Sequence, residues 1–84
     1  MEFLFSIVAH RLTIGLRGII DANFKITEEI WKLLKDNENI SEVVFVLRKV
    51  DKFDSKGVDA WTSEVKKVTD KGYLLTLILS LIHI

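Results

Sequence analysis

Two adjacent polar residues, Asp54 and Ser55, separate an apolar run from a helix-like pattern in the stretch VDKFDSKGVDAW, residues 50–61. The pair could simply cap the helix, since both side chains accept hydrogen bonds from the first helical N–H groups. It could also carry function, because a hydroxyl between a parallel strand and a helix N-terminus is exposed. A phosphate attached to Ser55 would meet free N–H groups and the positive end of the helix dipole. The residues themselves leave both roles open.

The other reactive side chains do not form a catalytic or metal-binding pattern. His10 falls in a predicted hairpin turn and His83 in the C-terminal tail, and neither has a metal-ligand partner at a useful spacing. Ser55 lacks the G-x-S-x-G and S-x-x-K contexts of serine nucleophiles, and the sequence contains no G-x-x-x-x-G-K phosphate loop. Asp51 and Asp54 are interpreted as ordinary surface acids. We therefore predict a protein that is not an enzyme and that uses no cofactor and no metal.

Length and composition favour one small cytoplasmic domain. The chain has 84 residues, of which 49% are hydrophobic and 29% charged, enough for a single core. Its formal net charge is zero, which argues against nucleic-acid binding, and the lack of cysteine fits a reducing compartment. The most apolar run, YLLTLILSLIHI, is too short to cross a bilayer as a helix, which takes about 20 residues. We predict no nucleic-acid and no membrane partner.

The hydrophobic pattern predicts the strands that must position Asp54 and Ser55. Strand formers from Phe3 to Ala9, followed by alternation from Leu12 to Leu16, predict an antiparallel hairpin. The unbroken apolar run Val43–Leu47 predicts a central parallel strand, and Tyr73–Ile78 predicts another. The element order is β-β-α-β-α-β. It predicts an α/β fold with a mixed, mainly parallel sheet, an antiparallel N-terminal edge hairpin and packed helices.

Two stretches between the strands have the spacing of amphipathic helices. Thr27 or Asn23 is the predicted cap of the first, and Gly72 the predicted stop of the second. We interpret Trp61 as a core residue rather than a partner contact and place Trp31 at the edge of the core. The apolar positions are Ile26, Ile30, Leu33 and Leu34 in the first helix and Val58, Trp61, Val65 and Val68 in the second.

Two sequence motifs and the order of the elements resemble the STAS domain of bacterial anti-sigma-factor antagonists. The run LRGIID, Leu16 to Asp21, is similar to the family's second strand, which ends in a glycine and then an acid that opens the first helix. The run VVFVL, with VDKFDSKGV after it, is similar to the third strand and signature loop. That loop has an apolar residue, Asp, Ser, a small residue, Gly and an aliphatic residue. The resemblance extends from Leu12 to Ile78 and implies a STAS-like fold.

The resemblance implies partner switching in signal transduction and transcription regulation. The unmodified domain would bind a serine-kinase-type anti-sigma factor, and phosphorylation of Ser55 by that kinase would release it. Lys56 departs from the family, where a small Ser or Thr is usual. A second hypothesis therefore stands beside the first, namely a STAS-fold interaction or scaffold domain without phosphorylation in a larger bacterial signalling assembly. The implied partner-binding residues are Asp21, Asp54, Ser55, Lys56 and Gly57.

The same resemblance implies that the domain is incomplete at its C-terminus. Family members usually add another helix and a further strand and reach roughly 100 residues or more. The last six residues here, LSLIHI, are similar to the translation of a transposon-end sequencing adapter. We therefore expect residues 1–78 to form a single STAS-like domain and residues 79–84 to be a non-native tail. The oligomeric state is left open.

Overall fold

A computed structural model describes residues 2–78, so the predicted tail, residues 79–84, and His83 within it lie outside the described residues. The described elements follow the predicted order. They are β1 (Glu2–Val8), β2 (Arg11–Ile20), α1 (Glu28–Asp36), β3 (Glu42–Phe53), α2 (Ser55–Asp70) and β4 (Leu74–Ile78).

The strands form one sheet in the order β1-β2-β3-β4. β1 runs antiparallel to β2, and a two-residue turn at Ala9 and His10 joins them. β2, β3 and β4 are parallel, so each pair needs a crossover connection, which α1 and α2 supply. The predicted mixed sheet with an antiparallel N-terminal hairpin is confirmed.

The core lies between the two helices and one face of the sheet. Because β2, β3 and β4 are neighbours in chain order, right-handed crossovers place both helices on the same face. Along β2 and the first half of β3, alternate residues point toward the helices, as expected for a pleated sheet. The fully buried side chains include Leu12, Ile14, Leu16 and Ile20 of β2, Val43 and Phe45 of β3, Ile30 of α1 and Val68 of α2.

β3 continues well beyond the predicted run Val43–Leu47 and ends at Phe53. Its register with β2 shifts twice opposite residues 15–19, and each shift inserts one extra residue into β3. An inserted residue changes which side chains face inward. The inward spacing therefore lengthens from two residues to three, and Val50 and then Phe53 return to the core side. A search for strict alternation misses this second half of the strand.

The apolar stripe predicted for α2 is partly wrong. Val58 is 48% exposed, whereas Gly57 beside it faces the sheet. The apolar spacing gave the wrong inward face because two inward positions, Gly57 and Glu64, do not carry apolar side chains. The buried residues of α2 are Gly57, Trp61, Glu64 and Val68, which still have helical spacing.

The predicted helix ends agree with the structure. The Thr27 hydroxyl caps α1 by accepting the Ile30 N–H at 3.4 Å, so Thr27 rather than Asn23 fills this role. Ile26, although buried, lies before the first residue of α1. Gly72 follows the end of α2 with φ = 93°, a left-handed conformation that favours glycine.

Trp61 lies at the centre of an aromatic cluster. Its ring centre is 5.3 Å from that of Phe24, 5.0 Å from Phe45 and 5.9 Å from Phe53, and the residue is 8% exposed. The last two contacts are edge-on, a favourable geometry for aromatic rings. The prediction that Trp61 belongs to the core is confirmed, and Trp31 packs half-buried against the core as predicted.

Removing the Trp61 indole should strongly destabilise the domain. Trp61→Ala leaves a cavity among three phenylalanine rings, and core truncations of this size cost about 3–5 kcal/mol. Urea melts followed by circular dichroism measure the loss. Val58→Ala, on the exposed side of the same helix, is the matched control and should change the free energy of unfolding by less than about 0.5 kcal/mol. A Trp61→Ala protein with an unchanged urea midpoint would contradict the core role.

Candidate functional site

The candidate site lies where the carboxyl ends of β2 and β3 meet the first turn of α2. β2 ends directly before Asp21, and β3 ends directly before Asp54. Ile20 and Phe53 pair in the parallel ladder, so the two aspartates leave neighbouring strands side by side. The Asp54 N–H donates to the Ile20 carbonyl at 3.3 Å. This bond extends the strand pairing up to the site itself.

Asp54 is the N-cap of α2. Its carboxylate accepts the Gly57 N–H at 2.7 Å, and its carbonyl accepts the Val58 N–H at 3.0 Å. Ser55 is therefore the first residue of the helix and not its cap. The capping role that the sequence left open between the pair belongs to Asp54, and the first turn does not depend on the Ser55 hydroxyl.

Ser55 is exposed at the positive end of α2. The first N–H groups of a helix have no acceptor within it, and their partial charges sum with the helix dipole. The Asp54 carboxylate offsets part of this positive charge, and the exposed Lys56 adds a cation beside the serine. A negatively charged group attached to the Ser55 hydroxyl would therefore be attracted by the helix N-terminus and by Lys56 and repelled by the Asp54 carboxylate.

Gly57 allows the first turn of α2 to lie directly on the end of β2. A Cβ added at this position would overlap the Ile20 carbonyl and would lie 3.0 Å from the Asp21 Cα. Only glycine, which has no Cβ, permits so close an approach of two backbones. This contact fixes the Ser55 end of α2 against the Asp21 end of β2.

Asp21 opens a tight turn rather than a helix. Its side chain accepts the Asn23 N–H at 2.9 Å, and its carbonyl accepts the Phe24 N–H at 3.0 Å. α1 begins only at Glu28, after its Thr27 cap, so a loop separates Asp21 from the first helix. The intervening loop borders a cavity of about 300 Å³ whose walls include Asp21, Asn23, Phe24 and Lys25.

Glu64 of α2 holds the far end of the same loop. It is 6% exposed, and its carboxylate accepts the Ile26 N–H at 2.8 Å and the Lys67 ammonium at 2.7 Å. Burial raises the pKa of Glu64, but the hydrogen bonds from Lys67 and Ile26 outweigh it and hold the pKa below the ordinary value. The sequence reading missed this residue because an acid is normally solvated. Its spacing of three from Trp61, together with Lys67 three residues on, is the signal that could have revealed it.

The structure brings the five predicted site residues into one region, although they differ in their structural roles. Asp54 and Gly57 hold the first turn of α2, Asp21 begins the neighbouring loop, and Ser55 and Lys56 face solvent. No cluster of three potential metal ligands occurs among residues 2–78. Within the same range, no helix is long and apolar enough to cross a membrane.

Comparisons with known proteins identify the fold of this chain. No protein-family model and no curated protein sequence matches it. The unphosphorylated form of the anti-sigma factor antagonist SpoIIAA is similar, with a TM-score of 0.56 at 16% identity over 90% of this chain and 71% of SpoIIAA. A structure of Mglu matches with a TM-score of 0.65 at 23% identity over 88% of this chain and 18% of Mglu. The L-glutamate binding form of Mglu in 4.3 M NaCl gives 0.63 at 14% identity, over 89% of this chain and 26% of that one.

At these identities the likeness establishes the fold alone, and the fold is STAS-like. The SpoIIAA match covers the predicted β-β-α-β-α-β order with its mixed sheet, so the predicted fold class is confirmed. The chain spans only 18–26% of the length of the Mglu chains. The expected functions of Ser55 and its neighbours stay predictions.

Adding one methyl group at Gly57 should destabilise the domain. Gly57→Ala places a Cβ inside the Ile20 carbonyl, and overpacking of this kind costs about 1–3 kcal/mol. Helix propensity alone predicts the opposite, a gain of about 1 kcal/mol for alanine over glycine. Urea melts give the sign. Gly15→Ala is the matched control, because its Cβ would lie 3.7 Å from the nearest atom and should cost little. A more stable Gly57→Ala protein would contradict the close approach.

The contribution of Glu64 to stability should depend on pH. Its pKa in the folded state lies below the ordinary value of 4.5, so its ionised form contributes stability above about pH 4.5, and this is lost as the pH falls through the folded-state pKa. Glu64→Gln should cost on the order of 1 kcal/mol near neutral pH, since it removes the charge that Lys67 and the Ile26 N–H bind. The difference in the free energy of unfolding between Glu64→Gln and the protein without this substitution should shrink below about pH 4.5. Urea melts between pH 3 and 7 measure it, with the exposed Glu38→Gln as control; a constant difference would refute the linkage.

Proposed function

We propose that the chain is a phospho-switched protein-binding module of the bacterial cytoplasm in which Ser55 is the phosphorylated residue. One observation carries the proposal: Ser55 is exposed at the first turn of α2, and Asp54 and Gly57 hold that turn next to Asp21. The unmodified module binds a serine-kinase-type anti-sigma factor through Asp21, Asp54, Ser55, Lys56 and Gly57. Phosphorylation by that kinase releases it. The function is binding rather than catalysis.

A phosphate on Ser55 changes the charge of this surface while the fold is kept. It adds roughly −1.5 to −2 charges at neutral pH. The first turn keeps its cap, because Asp54 rather than Ser55 accepts the Gly57 N–H. Lys56 and the helix N-terminus attract the phosphate, whereas the Asp54 carboxylate repels it and favours a position toward solvent. A partner docked on this surface would then meet a charge where it previously met a hydroxyl.

Exposed apolar side chains near Ser55 supply the contact area that a partner needs. Phe53 is 37% exposed just before the cap, and Val58 is 48% exposed one helical turn beyond Ser55. Protein interfaces commonly place such apolar contacts inside a polar rim. Lys56 and Asp59, both exposed, provide charged groups for that rim.

The alternative function is a STAS-fold interaction or scaffold domain that is not phosphorylated. Two observations favour it. Lys56 places a long cationic side chain beside Ser55, where a small residue is usual in the family that the sequence resembles. The matched fold also occurs in Mglu as a minor part of a much longer chain. In this case the domain would hold a partner permanently within a signalling assembly.

Mapping the phosphate tests the switch. The protein is incubated with ATP and its cognate serine kinase, then digested and examined by mass spectrometry. We expect one phosphate, on Ser55, and none after Ser55→Ala. Ser63→Ala is the matched control, because Ser63 is also exposed on α2 and its loss should change nothing. Phosphate found only on Ser41 or Ser63 would sink the proposal.

Binding of the same kinase separates the two functions. Ser55→Asp adds a negative charge at the proposed site and should weaken binding by at least about ten-fold, equivalent to about 1.4 kcal/mol. Ser63→Asp adds the same charge elsewhere on α2 and should leave binding unchanged. Tight binding by both variants, together with no phosphate on Ser55, would favour the scaffold alternative.

A further inference from the structure

A groove separate from the candidate functional site lies between the C-terminal ends of α1 and α2. It has a volume of about 450 Å³ and is lined by Trp31, Leu34, Lys35, Lys71 and Tyr73. Leu34 is buried and forms the floor, Trp31 and Tyr73 are half-buried, and both lysines are exposed. α2 has 16 residues and is therefore about 24 Å long, which separates this groove from the Ser55 end of the helix.

The two lysines of this groove differ from the other lysines near the end of α2. Lys66 pairs with Asp70 at 3.3 Å, and Lys67 pairs with Glu64 at 2.7 Å. Lys71 instead lies over the Trp31 ring, with its ammonium 5.6 Å from the ring centre. Within residues 2–78, no carboxylate lies within ion-pair distance of Lys35 or Lys71. Both groove lysines therefore lack a carboxylate partner among the described residues.

Helix dipoles explain the lysines but not the aromatic surface between them. Lys35 lies in the last turn of α1 and Lys71 is the C-cap of α2, positions where a cation is favourable. That role would be filled equally well beside a polar wall. Here the half-buried Trp31 and Tyr73 instead leave apolar surface open next to the two charges. An apolar centre with a charged rim is the arrangement of a protein-binding surface.

We propose that this groove binds an acidic peptide segment of a protein partner. A carboxylate of the segment pairs with Lys35 or Lys71, and a neighbouring apolar side chain packs on Trp31 and Tyr73. Charge complementarity selects the acid, because no acidic residue lines the groove in the described part of the chain. The aromatic walls select the apolar neighbour and disfavour a bare anion. This binding site is independent of phosphorylation at Ser55.

The test is an NMR titration of the nitrogen-labelled 84-residue chain with the capped hexapeptide DLEFDL. The two indole N–H signals report separately, since Trp31 borders the groove and Trp61 is buried in the core. We expect the Trp31 signal to shift and the Trp61 signal to stay. The capped peptide KLKFKL, inorganic phosphate and ATP at the same concentrations should leave Trp31 unchanged. An equal shift with phosphate or ATP, or none with DLEFDL, would overturn the proposal.

Matched charge reversals identify the surface. Lys35→Glu with Lys71→Glu removes both groove cations and should weaken DLEFDL binding by at least about ten-fold. Lys32→Glu with Lys66→Glu makes the same change in net charge on exposed positions outside the groove and should alter affinity less than about two-fold. Equal weakening by the two pairs would show general charge attraction and refute the groove.

Two further variants keep the result interpretable. If the charge reversal unfolds the chain, Lys35→Met with Lys71→Met takes its place. This pair removes the charges but keeps the aliphatic stems, so it should weaken DLEFDL binding in the same way. Ser55→Asp should leave DLEFDL binding unchanged. A groove that fails these tests leaves the phosphorylation proposal standing, and the reverse also holds, because the lysine variants leave the Ser55 site unchanged and the phosphate mapping alters no residue of the groove.

Discussion

The backbone contact between Gly57 and the end of β2 decides where the candidate functional surface lies. A Cβ at this position would overlap the Ile20 carbonyl, so the first turn of α2 can rest there only because residue 57 has no side chain. The contact joins the two loops that follow β2 and β3. Two features depend on this contact. One is the Asp54 cap, in which the carboxylate accepts the Gly57 N–H, and the other is the exposed position of Ser55.

The inward side of α2 performs a different task at each turn. Gly57 makes the backbone contact with β2, Trp61 fills the aromatic core, Glu64 binds the Ile26 N–H, and Val68 closes the far end of the core. Glu64 thereby ties the loop that begins at Asp21 to the same helix. A chain of this size gains little margin from its core, so a buried acid is tolerable only because two hydrogen bonds satisfy its charge.

Sequence patterns predicted the features that follow simple periodicity. The hairpin, the Val43–Leu47 strand, the cap of α1 at Thr27, one of its two candidates, and the Gly72 stop all obey local rules that tertiary contacts leave intact. The second half of β3 was missed because two bulges replace the spacing of two by a spacing of three. The inward roles of Gly57 and Glu64 were missed because neither is apolar; they arise from a backbone contact and a long-range hydrogen bond, which no local pattern encodes. The motif predicted that Asp54 and Ser55 lie at the start of α2, where the structure has them, but did not reveal which of the two is the cap.

Asp54 caps α2 and Ser55 does not, and this difference bears directly on whether a small domain can be switched by phosphorylation. Natural domains are stable by only about 5–15 kcal/mol, and losing a helix cap costs about 1 kcal/mol or more. If Ser55 were the cap, a phosphate on its hydroxyl would alter the bond that holds the first turn of α2. Because Asp54 accepts the Gly57 N–H instead, the hydroxyl can be modified while the cap stays in place. Charge on the surface can then change without an obligatory loss of fold, which is the physical condition that a phospho-switch on so small a core must meet.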